Sequence, residues 1–253
     1  MDPLLDFTNK VVLITGAAKG FGKLLAQALA ERGAKLVLGD IDKKGVDEVA
    51  SALANNGADV VALSCDVSVN SQCKAMVDTA VEKYGRLDIA VNNAGIGQGF
   101  MPLHETDEAL MDLQFNVNVK GVQFGMRYQI SQMLTQGNGS ILNVSSMAGL
   151  GGAPRISAYC AAKHAVIGLT KTAAVEYASE NIRINAICPF FTLTSMVTES
   201  TNSDMRAQMS QGAPMKRLGQ PEEIVAMMVM MLSPKNTYMT GQCIAIDGGV
   251  SAS

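Results

Sequence analysis

Positive charge is not in excess in this chain of 253 residues. Twenty lysines and arginines stand against 23 aspartates and glutamates, for a formal net charge of −3 and an isoelectric point near 5.4. That balance offers no footing for nucleic acid or for an acidic membrane as partner. No apolar run reaches the roughly eighteen residues that a membrane-spanning helix requires. The opening, Met1-Asp-Pro-Leu-Leu-Asp-Phe7, lacks the basic start and apolar core of a secretory signal. The five cysteines (Cys65, Cys73, Cys160, Cys188 and Cys243) are odd in number, scattered and without zinc-ligand spacing. They point to a reducing, cytoplasmic setting and to no metal site. Internal repeats, low-complexity tracts and linkers are missing, so residues 1–253 are expected to form one α/β domain.

What is present begins with Lys10-Val-Val-Leu-Ile14, a short β-branched run suited to a buried parallel strand. It leads into Thr15-Gly16-Ala-Ala-Lys19-Gly20-Phe21-Gly22, then into Leu24, Leu25, Ala28 and Leu29 at helical spacing. Strand, glycine-rich turn and helix N-terminus in that order make an anion site from backbone N–H groups and the helix dipole. Further strands are expected near 35–40, 59–64, 88–92, 139–145, 183–188 and 243–246. Helices are expected near 20–32, 43–56, 70–85, 107–136, 156–179, 196–211 and 221–232. This alternation predicts a Rossmann-type doubly wound parallel sheet of about seven strands with helices on both faces. Ligands of such sheets bind beyond the carboxyl ends of the strands.

Tyr159 and Lys163 stand four residues apart, on one face of a helix. An ammonium there would stabilise a phenolate and pull its pKa down towards working pH. Ser146, at the end of the β-branched run from Ile141, supplies a hydroxyl nearby. Together the three form a proton-transfer site.

With these motifs in order, the chain resembles the short-chain dehydrogenases/reductases in their single-domain form of about 250 residues. The resemblance runs from about residue 8 to 250 and rests on Thr15-Gly-x-x-x-Gly20-x-Gly22, Asp66-Val67, Asn92-Asn93-Ala94-Gly95, Asn118, Ser146, Tyr159-x-x-x-Lys163, and Pro189 with Thr194. It implies Tyr159 as general acid and base, with Lys163 tuning it and holding the nicotinamide ribose. Ser146 would orient the substrate oxygen, and Asn118 would hold a water joining the lysine to solvent. Asn116 is the rival for that last position, but Gly121 follows Asn118 at the family's spacing. Cofactor contacts implied are Gly16, Lys19, Gly20, Phe21 and Gly22 at the phosphate turn; Asp40 and Ile41 after the second strand; Asp66 and the Val67 backbone at adenine; Asn93 and Gly95 on the adenosine side; and Pro189, Thr192 and Thr194 towards the nicotinamide, beside Tyr159 and Lys163.

Asp40 is placed to accept from the ribose hydroxyls and to repel a 2′-phosphate, with Asp42 adding to the repulsion. Lys19 argues for NADP(H), and the direct charge conflict at Asp40 outweighs it, so NAD(H) is expected over NADP(H). In one place the chain departs from the family: Phe190 follows Pro189 where glycine is usual, and phenylalanine finds unusual backbone angles costly. The pocket is expected from Ile96–Leu103, Met147–Ile156 and a lid over 190–216. Nine of the sixteen methionines fall between Met196 and Met239, which would suit an adaptable apolar pocket, although Met227, Met228, Met230 and Met231 read as helix core.

The expected activity is interconversion of a secondary alcohol and a ketone on a small or medium, fairly apolar substrate. The alternatives are a 3-oxoacyl-[acyl-carrier-protein] reductase using NADPH and, more remotely, a non-enzymatic dinucleotide sensor. Helices near 107–136 and 156–179 carry surplus apolar positions, among them Val166, Ile167, Leu169 and Ala173. With the family resemblance, these imply a homotetramer.

Overall fold

The computed structural model describes residues 2–252. Seven parallel strands form one sheet in the order β3-β2-β1-β4-β5-β6-β7: β1 Val11–Thr15, β2 Lys35–Asp40, β3 Val60–Ser64, β4 Ile89–Asn92, β5 Gly139–Val144, β6 Ile182–Pro189 and β7 Cys243–Ile246. Each lies where the β-branched runs place it. All five residues of β1 are buried, as expected of a central strand covered on both sides. Period-two alternation divides them: Val12 and Ile14 enter one core with Leu25, Leu36, Ile224 and Met228, whereas Val11 and Leu13 enter the other with Met76, Val122, Met126 and Ile184.

The helices are α1 Gly20–Ala30, α2 Lys43–Asn55, α3 Asn70–Tyr84, α4 Glu108–Gln114, α5 Gly121–Gln136, α6 Ser157–Tyr177, α7 Ser195–Ser200, α8 Ser203–Gln211 and α9 Pro221–Leu232. Two expected helices are interrupted. Residues 107–136 are not one α-helix, because a π-helical stretch, Phe115–Lys120, separates α4 from α5. Residues 196–211 break at Thr201, which is extended, and Asn202 restarts the chain by accepting from the Met205 N–H at 2.9 Å. Among the described residues no helix is long and apolar enough to cross a membrane.

The order of strands reverses between β1 and β4, so the loops leaving their carboxyl ends diverge and open a crevice there. At the amino ends of the same two strands the buried Asp88 accepts from the Val11 N–H at 3.0 Å and from Arg86 at 2.6 Å. Of the surplus apolar positions, Val166, Ile167 and Ala173 are buried within the chain itself. The outward apolar residues are instead Val175, 82% exposed, with Leu134 and Leu113. On α9, Met228 and Met231 are core as expected, but Met230 is exposed, since a twelve-residue helix turns one side outward.

Candidate active site

The glycine-rich turn leaves β1 with Gly16 and Gly20 in the left-handed region (φ 65° and 57°), where a side chain is strained. A Cβ on Gly22 would lie 2.2 Å from the Gly16 carbonyl oxygen, so helix α1 can start this close to the strand only with glycine there. The N-cap of α1 is Lys19, and no side chain caps the helix. Its first-turn N–H groups thus have no side-chain acceptor, and Gly20 has nothing closer to a built Cβ than Thr194 at 3.9 Å. This bare, positively polarised helix end fits the pyrophosphate of a dinucleotide.

Asp40 ends β2 beside that turn. One carboxylate oxygen accepts from the Ala18 N–H and the other from the Asp42 N–H, each at 2.9 Å. Capping of α2 belongs to Asp42, which accepts from the Gly45 N–H. Ile41 is 71% exposed next to the carboxylate, forming an open apolar shelf. Asp66 holds its own turn by accepting from the Ser68 N–H and hydroxyl at 2.9 and 2.7 Å. Val67 is buried, with its side chain against Gly121 and its carbonyl accepting from the Cys73 thiol at 3.4 Å.

The loop after β4 is tied down residue by residue. Both amide hydrogens of Asn93 go to the carbonyls of Thr15 and Gly16, at 2.9 and 3.0 Å. Its side chain therefore staples the two loops at the switch point. The buried Asn118 accepts from the Ile96 N–H at 2.9 Å and donates to the Ile96 carbonyl at 3.0 Å. Its rival Asn116 only accepts from Lys120 on the helix surface. A Cβ on Gly95 would fall 2.7 Å from the Asn118 oxygen and 3.5 Å from Lys163 Nζ, so glycine is what lets Asn118 and Lys163 approach one another. The π-helical turn carries Asn118 into this position.

Ser146 leaves β5 and accepts from the Ala148 N–H at 3.1 Å. Tyr159 and Lys163 stand one turn apart on α6, with Lys163 Nζ 5.5 Å from the Tyr159 ring centroid. Lys163 is buried and donates to the Val144 carbonyl at 2.9 Å. Burial lowers its pKa from 10.5 to about 8, against a smaller opposing effect of Cys188. The Tyr159 phenol is pushed up by burial, with a hydrogen bond to Ser146 pulling the other way. The depression expected from Lys163 is therefore not seen here: desolvation wins, and the ammonium is directed at a backbone carbonyl.

After Pro189 the chain accommodates Phe190 without a positive φ. Its N–H donates to the Ile246 carbonyl at 3.0 Å, and its ring meets Phe191 at 4.8 Å, so no glycine is needed at this place. The Thr192 hydroxyl donates to the Phe190 carbonyl at 2.9 Å, while Thr194 opens α7. Lys19 reaches across to Glu199 of α7 at 3.4 Å, an exposed pair that links the glycine-rich turn to that helix.

A family profile described as "Enoyl-(Acyl carrier protein) reductase" matches residues 16–251. The chain is 38% identical over 246 residues to cis-4-hydroxycyclohexanecarboxylate dehydrogenase of Sinomonas cyclohexanicum, covering 97% of this chain and 98% of the relative. It is 40% identical over 242 residues to the 3-oxoacyl-[acyl-carrier-protein] reductase FabG of Thermotoga maritima, with 96% and 98% covered. The protein belongs to the short-chain dehydrogenase/reductase family. Within that family the structure of levodione reductase superposes with a TM-score of 0.93 at 37% identity, covering 98% of this chain and 99% of that one. A 3-ketoacyl-(acyl-carrier-protein) reductase from Brucella melitensis complexed with NADH gives 0.90 at 33% identity, with 97% and 100% covered. ElxO with NADP bound gives 0.89 at 33% identity, with 96% and 99% covered. As a member, this protein is an NAD(P)(H)-dependent oxidoreductase acting on CH–OH groups and the corresponding ketones.

Sequence reasoning assigned no role to two sets of residues that hold the site. Asn92, Gln129, Asn143 and Thr170 form a buried chain of amides and a hydroxyl across β4, α5, β5 and α6, with bonds of 2.8–3.0 Å. Gln114 donates to the Gly97 carbonyl at 2.7 Å and accepts from Asn118 at 2.6 Å. Polar residues at otherwise apolar helix and strand positions were the available signal.

Proposed function

We propose that this short-chain dehydrogenase/reductase interconverts a cyclic or comparably compact, fairly apolar secondary alcohol and its ketone, with NAD(H) preferred. The observation that carries the reading is the convergence of Ser146, at the end of β5, with Tyr159 and Lys163 of α6, the buried Lys163 Nζ lying 5.5 Å from the Tyr159 ring centroid. Ser146 orients the substrate oxygen, and Tyr159 gives it a proton in reduction and removes one in oxidation. A placed proton-transfer group contributes about 10²–10⁴ in rate. The bound dinucleotide supplies or accepts the hydride. Lys163 holds the nicotinamide ribose, and Asn118 anchors the wall through which its proton is replaced. Gly16, Lys19, Gly20, Phe21 and Gly22 take the pyrophosphate on the uncapped N-terminus of α1. Asp40 meets the adenosine ribose with Ile41 below it, and Asp66 with Val67 borders adenine. Asn93 and Gly95 shape the adenosine side, and Pro189, Thr192 and Thr194 border the nicotinamide.

NAD(H) preference rests on the Asp40 carboxylate, which would face a 2′-phosphate with like charge. The pairing of Lys19 with Glu199 weakens the one cation that argued for NADP(H). Segment 190–216 acts as the substrate lid, and the outward residues Val175 and Leu134 fit burial in a cytoplasmic homotetramer. The ring substrate follows from likeness to the hydroxycyclohexanecarboxylate dehydrogenase and levodione reductase. A second reading, reduction of 3-oxoacyl groups on a carrier protein, is favoured by likeness to the two acyl-carrier reductases. Asp40 and the lack of a basic residue along Ala173–Glu176 count against it. The test is absorbance at 340 nm with NADH or NADPH in parallel on cyclic ketones and on a 3-oxoacyl thioester. Turnover of the cyclic ketones with NADH, lost in Tyr159→Phe while dinucleotide binding persists, is the expected result. NADPH-only turnover of the thioester would replace this reading with the second.

A further inference from the structure

One polar group beside the proposed site has a donor with nothing to donate to. The backbone N–H of Tyr159, in the first turn of α6, donates to the Gln98 side-chain oxygen at 2.9 Å. Such first-turn N–H groups have no partner within their own helix. Only the carbonyl end of the amide can accept, so the orientation of Gln98 is settled by this bond and its Nε2 faces the other way. That nitrogen is buried and has no hydrogen-bond acceptor among the described residues. An amide N–H stripped of water with no acceptor is unfavourable and rare in folded chains.

The loop that carries Gln98 is braced on each side. Asn118 holds Ile96, Gln114 holds Gly97, and the Met101 N–H donates to the Arg155 carbonyl at 2.8 Å. Gln98 therefore cannot turn its amide to water without dismantling these contacts and its bond to α6. Over the same loop lies α7: a Cβ on Gly97 would be 3.4 Å from Met196 Cγ. Met196 of α7 thus packs against the residue preceding Gln98.

We propose that Gln98 is a substrate-recognition residue whose Nε2 donates to a second oxygen of the substrate, beyond the one that reacts at Ser146 and Tyr159. The inference rests on the alcohol–ketone reading above and narrows its substrate class to alcohols or ketones bearing a further hydroxyl, carbonyl or carboxylate. The bond to the Tyr159 backbone places Gln98 against the turn of α6 that carries the phenol.

The test compares kcat/KM on cyclohexanone and on 2-, 3- and 4-hydroxycyclohexanone for the wild type, Gln98→Glu and Gln98→Leu. Glutamate keeps an acceptor for the Tyr159 N–H and removes the donor, whereas leucine removes both. The wild type is expected to favour at least one hydroxyketone over cyclohexanone by about tenfold or more, and both variants to lose that preference. A wild type with no such preference would overturn the inference, as would a preference kept by Gln98→Glu and lost only in Gln98→Leu. The latter result would make Gln98 a support for α6 alone. No turnover of any of the four ketones by the wild type would refute the cyclic alcohol–ketone reading itself, and this inference with it.

Discussion

Replacing Lys163 with methionine should remove activity and yet stabilise the protein at neutral pH. The side chain is buried, and its pKa falls from 10.5 to about 8 because burial penalises the ammonium. Holding the charge at that lowered pKa costs the folded state about 3 kcal/mol, at about 1.36 kcal/mol per pKa unit. Methionine has a similar volume and no charge, but it forfeits the bond to the Val144 carbonyl, at a cost of roughly 1 kcal/mol. The net gain at pH 7 is then about 2 kcal/mol, or about 4–8 °C in Tm for a chain of this size. The sign depends on pH in a way that isolates the cause. Between about pH 8 and 10.5 the unfolded chain still binds the lysine proton and the folded chain has released it, so wild-type stability rises with pH through that window. The variant has no such group. Its advantage should therefore shrink from about pH 8 upward and turn into a deficit of roughly 1 kcal/mol near pH 10.5. Urea unfolding of both proteins at pH 7, 8.5 and 10 measures the difference, and other alkaline effects cancel in it. A variant less stable at pH 7, or a difference that does not change with pH, would refute the reasoning.

Other substitutions probe the remaining parts. Asp40→Ser should raise the NADPH-to-NADH ratio of kcat/KM by about tenfold or more, since a like charge facing the 2′-phosphate is removed. It should also cost about 2 kcal/mol in urea unfolding, because the Ala18 and Asp42 N–H groups lose their acceptor. Gly22→Ala should destabilise the fold by at least about 1–3 kcal/mol and weaken dinucleotide binding measured by fluorescence titration, because its Cβ would meet the Gly16 carbonyl at 2.2 Å. Asn92→Leu should cost roughly 3 kcal/mol by denaturant unfolding, leaving Gln129 and Asn143 buried without their partner.

The positions of the seven strands and most helices were legible because they depend on local pattern: β-branched runs flanked by turns, and apolar residues at helical period. The same holds for the glycine turn, whose need for Gly16, Gly20 and Gly22 follows from one short stretch of backbone. The breaks in two helices were not legible. Asn118 and Asn202 act there through partners or caps that helical periodicity does not encode. Phe190 looked like an obstacle only while the backbone angles after Pro189 were unknown.

Roles set by distant partners belonged to the tertiary structure. Asn93 is a staple because Thr15 and Gly16 lie opposite it, 78 and 77 residues away in sequence. Gln98 is held by Tyr159, 61 residues on. The balance at Tyr159 and Lys163 follows the same rule. Their spacing on one helix face was determined by sequence alone, whereas the sign of each pKa shift was decided by burial. Burial depends on how many layers of chain surround a group, and no local spacing contains that information.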